Sequence, residues 1–391
     1  MKNNPATIAE LKSLKLGNHT VEETLVDQMG KIGEKIDVVD YQNVNTEGNL
    51  LLQNNGKIQD ARCGILVDKG TYNVNGNLEA TNSFGGGIIN ISDAQIKNCR
   101  FGLVFSPYIS IYSSYTNFSR VTSTTFICNA PLADEIYVDG NGTRQGTSAF
   151  CKIYLQKGLH FQSCDFEGYA GLIDPTQRGT GIGVYDSGFY IEDYTSTNHS
   201  KFNNLAYGIV SATSSGSGFN GSIRIDNAEF GMNHSGTPTG SNFQSVYLVG
   251  SGINTAVQNN TFLVPAINKA FGVNFEGCTS FECKDNIFLG GGVANSSSNY
   301  GVIVSSSFDN DNIVYRNSFD NLSHSSTALF YNGNTSGLQF KCNTYNSLSG
   351  NDIEVVSQAV VSTINSPGTV RLNQGDCLPT SFPCAGCRSR S

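Results

Sequence analysis

The chain repeats itself. A six-residue pattern (apolar, any, any, small or Asn, any, aromatic) occurs as Ile96–Phe101, Val121–Phe126, Phe161–Phe166, Ile225–Phe230, Val257–Phe262, Cys283–Phe288, Val314–Phe319 and Phe340–Tyr345, with a poorer copy ending at Phe202. Successive aromatic positions lie 25, 40, 36, 28, 32, 26, 31 and 26 residues apart. A period of this size belongs to stacked supersecondary units rather than to one closed core. It frees a chain of 391 residues from the usual limit at which a single core stops growing. The shorter intervals suit one coil of a solenoid, and the longer ones a coil carrying an inserted loop. A propeller blade would need about 40–45 residues and four antiparallel strands.

A second element follows most aromatics: Ile182-Gly-Val-Tyr185, Tyr207-Gly-Ile-Val210, Phe271-Gly-Val-Asn-Phe275 and Tyr300-Gly-Val-Ile-Val304. Each coil thus supplies at least two short strands and requires no helix between them. Like strands of successive coils would stack about 4.8 Å apart in parallel register, so that equivalent side chains form files. An Asn file inside a turn lets each amide bond the next, satisfying groups that are costly to bury alone. An aromatic file stacks ring on ring. With 43 Gly, no Trp and only 14% charged residues, the composition lacks the bias of long helices and suits many short strands between turns. The expected fold is all-β: a single-stranded right-handed parallel β-helix over residues 41–373.

At the N-terminus, Thr20-Val-Glu-Glu23 fits a capping box, and Val21, Leu25, Met29, Ile32 and Ile36 share one helical face. Residues 1–40 are expected to hold a short helix, serving either as a cap over the first coil or as a linker. Residues 374–391, with Cys377, Cys384 and Cys387, read as a tail without regular structure. Net charge is −8 and no basic run occurs, which speaks against nucleic-acid binding. No apolar stretch reaches the roughly 18–20 residues of a membrane span. The first residues lack the apolar core of an export signal, so the chain is either cytosolic or a piece of a longer secreted protein, and the second is favoured.

The search for chemistry is mostly negative. The five histidines, His19, His160, His199, His234 and His324, show no metal spacing. Asp309-Asn-Asp-Asn312 could coordinate calcium but reads first as a polar turn, and no cofactor is expected. Cys384-Ala-Gly-Cys387 resembles half a zinc ribbon with only Cys377 nearby, short of the four ligands a structural site wants. Cys99 and Cys164 take the same repeat position two coils apart, too far for a bridge. Cys128–Cys151 and Cys278–Cys283 are candidate disulfides. The longest insertions flank Phe126–Phe202, where Arg178, Tyr185, Asp186, Tyr190, Glu192, Asp193 and Tyr194 gather a cation, carboxylates and aromatics. Strand alternation would turn Phe189 and Ile191 inward and Tyr190 and Glu192 outward. That mixture suits a sugar-binding face and suits an ordinary polar face equally.

The Asn-x-Phe turns resemble those of the pectin-lyase-like right-handed β-helix superfamily. More narrowly, Gly56–Ile65, Gly85–Asn90, Ile96–Tyr108 and Arg178–Gly183 are similar to segments of uncharacterised β-helical surface proteins of Bacteroidota exported by type IX secretion. The resemblance covers most of residues 45–375 and implies a secreted or cell-surface location without implying one activity. Catalytic members of the superfamily carry sets such as Asn-Thr-Asp, Gly-His-Gly and Arg-Ile-Lys, and these are missing here, so no catalytic residue carries over. The expected function is a non-catalytic rigid stalk, adhesin or carbohydrate-binding scaffold whose partner is a polysaccharide or cell-surface glycan. The competing expectation is a polysaccharide lyase or glycoside hydrolase with its site in the loops of residues 127–200. In that case Arg178 would neutralise a uronate beside Tyr185 or Tyr190 acting as base. A phage tailspike, which would be a stable trimer, is the third.

Overall fold

Each copy of the six-residue pattern folds into a corner. The computed structural model describes residues 47–67, 88–105, 118–133, 146–172, 175–195, 198–214, 221–231, 243–252, 254–291, 298–307, 311–332, 337–346 and 351–356, with further short strands at 15–16, 19–20, 38–44, 70–72, 78–81 and 371–372. The first residue of a copy lies in one strand, and its third takes the left-handed backbone. At Asp93, Ser123, Ser163, Asn227, Asn259, Asp285, Arg316 and Cys342, φ lies between 46° and 57°. Asn, Asp and Ser dominate this position because their short polar side chains tolerate that conformation in turns. The fourth residue is buried (half-buried at Asn343), and the sixth lies in the next strand.

Repetition of this corner and two others stacks the strands into three sheets, of 10, 10 and 12 strands, each running from one coil to the next. All pairings between coils are parallel; Val38–Val44 adds to Glu47–Leu52 in antiparallel fashion. The chain is a parallel β-helix. One sheet, here the aromatic sheet, aligns Ile58, Ile96, Phe126, Phe166, Phe202, Phe230, Phe262, Phe288, Phe319 and Tyr345 in a single inward file. From Phe126 to Phe319 the rings stack at 4.6–4.8 Å, with 5.2 Å to Tyr345. The aliphatic sheet aligns Ile91, Val121, Phe161, Ile191, Ile225, Val257, Cys283, Val314 and Phe340. At the corner between these two sheets Asn260, Asn286, Asn317 and Asn343 form the expected amide ladder. The Oδ1 atoms of Asn286, Asn317 and Asn343 each accept from the backbone N–H and from Nδ2 of the preceding Asn at 2.9–3.1 Å, and that of Asn260 accepts from the Ala228 N–H.

The third sheet, here the glycine sheet, carries Gly64, Gly102, Gly181, Gly208, Gly272 and Gly301 against the aromatic file. A Cβ at Gly208 would stand 2.5 Å from the Ser245 carbonyl oxygen and 2.9 Å from the Phe230 ring. Here the structure corrects two alignments. Gly181 holds the shared position rather than Gly183, because Thr180 pairs with Tyr207 and Ile182 with Ile209. Phe101 does not belong to the aromatic file: Ile96 does, and Phe101 pairs with Cys63 and Ala149 on the glycine sheet. The confusion is physical, since the next corner uses the same device, a left-handed polar residue before a small buried one, as at Asp60-Ala61 and Asn98-Cys99. Cys99 and Cys164 therefore sit at different corners, and both are free.

Cys128, Cys151, Cys278 and Cys283 are also free and buried, so neither candidate bridge forms. Cys151 pairs in register between Leu103 and Ile182 on the glycine sheet, whereas Cys128 follows an aromatic strand. Cys283 lies in the aliphatic file, whereas Cys278 sits at a corner against the Leu248 carbonyl. Burial pushes the Cys164 thiol up to about 12. Cys342 is held in a disulfide whose partner lies outside the described residues. The proposed N-terminal helix falls on residues 21–37, also outside them; Thr20, read as its cap, belongs to a short antiparallel pair, Lys15–Leu16 with His19–Thr20. Residues 374–391 and Asp309 lie outside them as well.

Candidate functional site

The candidate residues come from one insertion-rich stretch, yet the coil distributes them over separate faces. Arg178 closes a short 3-10 turn, Pro175–Arg178. Its side chain is fully buried, with Nε and Nη2 donating to the Leu172 carbonyl (3.3 and 3.0 Å) and Nη2 to that of Ala170 (3.3 Å). Burial lowers its pKa from the ordinary arginine value. This corrects its proposed role: the guanidinium ties the insertion to the coil and is out of reach of a polymer on the surface. Asp186 is likewise structural, a buried corner residue at φ 44° accepting from the backbone N–H and hydroxyl of Ser214 at 2.7 Å each.

Tyr185 lies on the outer face of the glycine sheet, where its ring stacks at 5.0 Å on Tyr154 of the preceding coil. The inward-outward alternation of Thr180–Tyr185 and Ala149–Tyr154 forces both rings outward, and both are exposed (39% and 42%). Together with Phe101, Lys152, Tyr207 and Tyr247 they line a groove of about 800 Å³ crossing several coils. At one end Phe101 is covered by Lys152 Nζ at 4.9 Å and the Arg100 guanidinium at 5.3 Å. At the other, the Tyr247 hydroxyl bonds the Glu276 carboxylate, and burial together with that bond drives the phenol pKa up. Further along the same face Phe271, Tyr300 and His324 continue the stacking at 5.2 and 4.4 Å.

Tyr190 and Glu192 point outward as alternation requires, but from the aliphatic sheet. There His160 stacks on Tyr190 at 4.7 Å, and its Nδ1 lies 2.7 Å from Glu192 Oε1, which also accepts from Gln162 Nε2 at 2.9 Å. Asp193 pairs with His199 at 3.0 Å across an inserted loop on which Tyr194 is 64% exposed. Next to them Arg224 and Asp226 pair at 2.6 Å, with Gln258 and Asn259 also donating to Asp226. Sequence reasoning missed Tyr154, Tyr207, Tyr247, Lys152 and His160. Signals existed for two: Lys152-Ile-Tyr154 and Gly183-Val-Tyr185 share the spacing that pairs them in register, and Tyr207 precedes its glycine as Phe271 and Tyr300 do. Among the described residues, no group of His, Cys, Asp and Glu could hold a metal ion, and no helix is long and apolar enough to cross a membrane.

No protein-family model and no curated protein matches the chain. Solved structures do. The surface protein and adhesin PfbA of Streptococcus pneumoniae aligns at 12% identity over 79% of this chain and 91% of its own, with a TM-score of 0.34. The periplasmic alginate epimerase AlgG, in two mutant forms, aligns at 11% and 8% identity over 80% of this chain and 86% of its own, with TM-scores of 0.30 and 0.28. Similarity at this level carries no weight for activity.

Proposed function

We propose that the chain is a non-catalytic β-helical module, secreted or displayed at a cell surface, that binds a glycan along the groove of the glycine sheet. The observation that carries this reading is the outward pair Tyr154–Tyr185 with Tyr207 and Tyr247 along one groove. A solenoid needs its inward rings for stability, but outward tyrosines at successive coils contribute little to the core. The facing surfaces of Tyr154 and Tyr185 are spent on each other, but their exposed edges and the neighbouring rings give a concave apolar surface that suits the C–H groups of pyranose rings, with the hydroxyls left for sugar oxygens. The disulfide at Cys342 supports an oxidising compartment, since such bonds seldom persist in the cytosol. The test is a glycan microarray with the whole chain. Binding that falls about tenfold or more in Tyr185→Ala, a difference of about 1.4 kcal/mol, with the fold intact by circular dichroism, supports the reading; binding unaffected by Tyr154→Ala and Tyr185→Ala together removes it.

The second reading, a polysaccharide lyase or glycoside hydrolase, is favoured by His160, held through Nδ1 by Glu192 and stacked on Tyr190. A general base needs such orientation. Incubation with uronate polymers, read as unsaturated product in the ultraviolet, tests it: turnover abolished by His160→Ala would displace the first reading.

A further inference from the structure

Most glycines of the glycine sheet are fixed by the coil that follows them. A Cβ added at Gly64, Gly102, Gly181, Gly208, Gly272 or Gly301 would stand 2.5–2.6 Å from a carbonyl oxygen of the next coil. Gly183 is different. It lies inside the strand Thr180–Tyr185, outside the left-handed region. A Cβ there would meet only the Cys151 carbonyl oxygen at 3.8 Å and Thr180 Cγ2 at 4.0 Å, ordinary contact distances. Among the described strand glycines it is the one with such room. No turn, packed ring or close backbone calls for the missing side chain, yet a glycine inside a strand weakens it.

The remaining reason for such a glycine is the close approach of a ligand, and Gly183 is placed for one. It points outward between the buried Ile182 and Val184 and lines the groove. In its outward file it lies between Lys152 of the preceding coil and Val210 of the next, and Tyr185, two residues on, is exposed on the same face. The absent side chain leaves a hollow in the groove floor, with Lys152 and Val210 at its ends and Tyr185 at its side. Resting on the glycan reading, we infer that Gly183 is the floor of a binding subsite, kept bare so that one pyranose ring lies against the strand beside Tyr185. A methyl group at this position lifts that ring, and an isopropyl group fills the hollow.

The experiment is a concentration series of the whole chain on the glycan microarray, run beside Gly183→Ala, Gly183→Val and Tyr185→Ala. On the glycans that the unaltered chain binds, Gly183→Ala is expected to weaken binding several-fold and Gly183→Val by at least about tenfold. Both glycine variants are expected to melt at or above the temperature of the unaltered chain, since Ala and Val suit a strand with room for a Cβ better than Gly does. A lowered Tm in both would mean that the glycine serves the fold, and overturns the inference. Full binding by Gly183→Val overturns it too, while the glycan reading stands if Tyr185→Ala still weakens binding. An unaltered chain that binds no glycan overturns both.

Discussion

The outer faces of the glycine sheet and the aliphatic sheet rest on the same coils and differ in how their polar groups are used. On the aliphatic face the described charges largely satisfy one another: His160 with Glu192, His199 with Asp193, Arg224 with Asp226. On the glycine face Tyr247 meets Glu276 and His324 meets Glu354, but within the groove the rings stand outward and Lys152 meets an aromatic face rather than a carboxylate. A network closed on itself serves the scaffold, whereas a face with aromatic surface unspent is open to a ligand. Proximity in sequence hides this contrast, since Tyr185 and Tyr190 are five residues apart yet belong to different sheets.

The change with the largest expected effect breaks both faces together. Phe230 is stacked between Phe202 and Phe262 at 4.7 and 4.8 Å beneath the Gly208 backbone. Phe230→Ala should cost about 3–5 kcal/mol, the usual range for a buried ring, measured by denaturant unfolding. A loss below about 1 kcal/mol would mean the file is not the core. Asn286→Ala comes next. It leaves the buried N–H of Asn260 without its acceptor and should cost about 1–3 kcal/mol, while Ser at the same position should recover part of the loss by accepting from one donor.

The solenoid and its aromatic file were legible in the sequence because a file of like side chains demands the same residue every coil, and Phe126 through Tyr345 obey that demand. The Asn ladder was legible for the same reason. The first coils were misaligned because Asn98-Cys99 and Asn259-Asn260 solve the same steric problem at two different corners. The site was poorly legible: outward positions are free of packing constraint, so Lys152 and Tyr247 follow no repeat, and Tyr154 and Tyr207 do not show as one groove before the strands are set in register. Arg178 misled because a charged residue in a loop reads as exposed, and only the carbonyls of Ala170 and Leu172 reveal it as an anchor.

Tyr185→Ala separates the two faces. Glycan affinity should fall about tenfold while unfolding free energy shifts by under about 0.5 kcal/mol, as for other surface substitutions. A comparable loss of stability would mean that the Tyr154–Tyr185 stack is scaffold after all, and the contrast between faces would fail.

The smallest effects sharpen the aliphatic face by sign. Asp226 is desolvated, which raises its pKa, but the donors Asn259, Arg224 and Gln258 outweigh this and hold it below the usual carboxylate value. A carboxyl depressed in the folded state stabilises above its unfolded pKa, about 3.9, and that contribution is lost as pH falls through the folded value. Asp226→Asn should therefore lower stability at pH 7 by about 1 kcal/mol or less, since the Arg224 partner is half-exposed, and the difference should vanish in strong acid. Asp193 runs the other way: desolvation outweighs His199 and raises its pKa, so ionisation opposes folding and the native state gains as pH falls through the raised value. Asp193→Asn should leave stability at pH 7 unchanged or slightly higher. Unfolding curves of the two variants that drop together at neutral pH would show that the face is held by one cooperative network rather than by pairs of opposite sign.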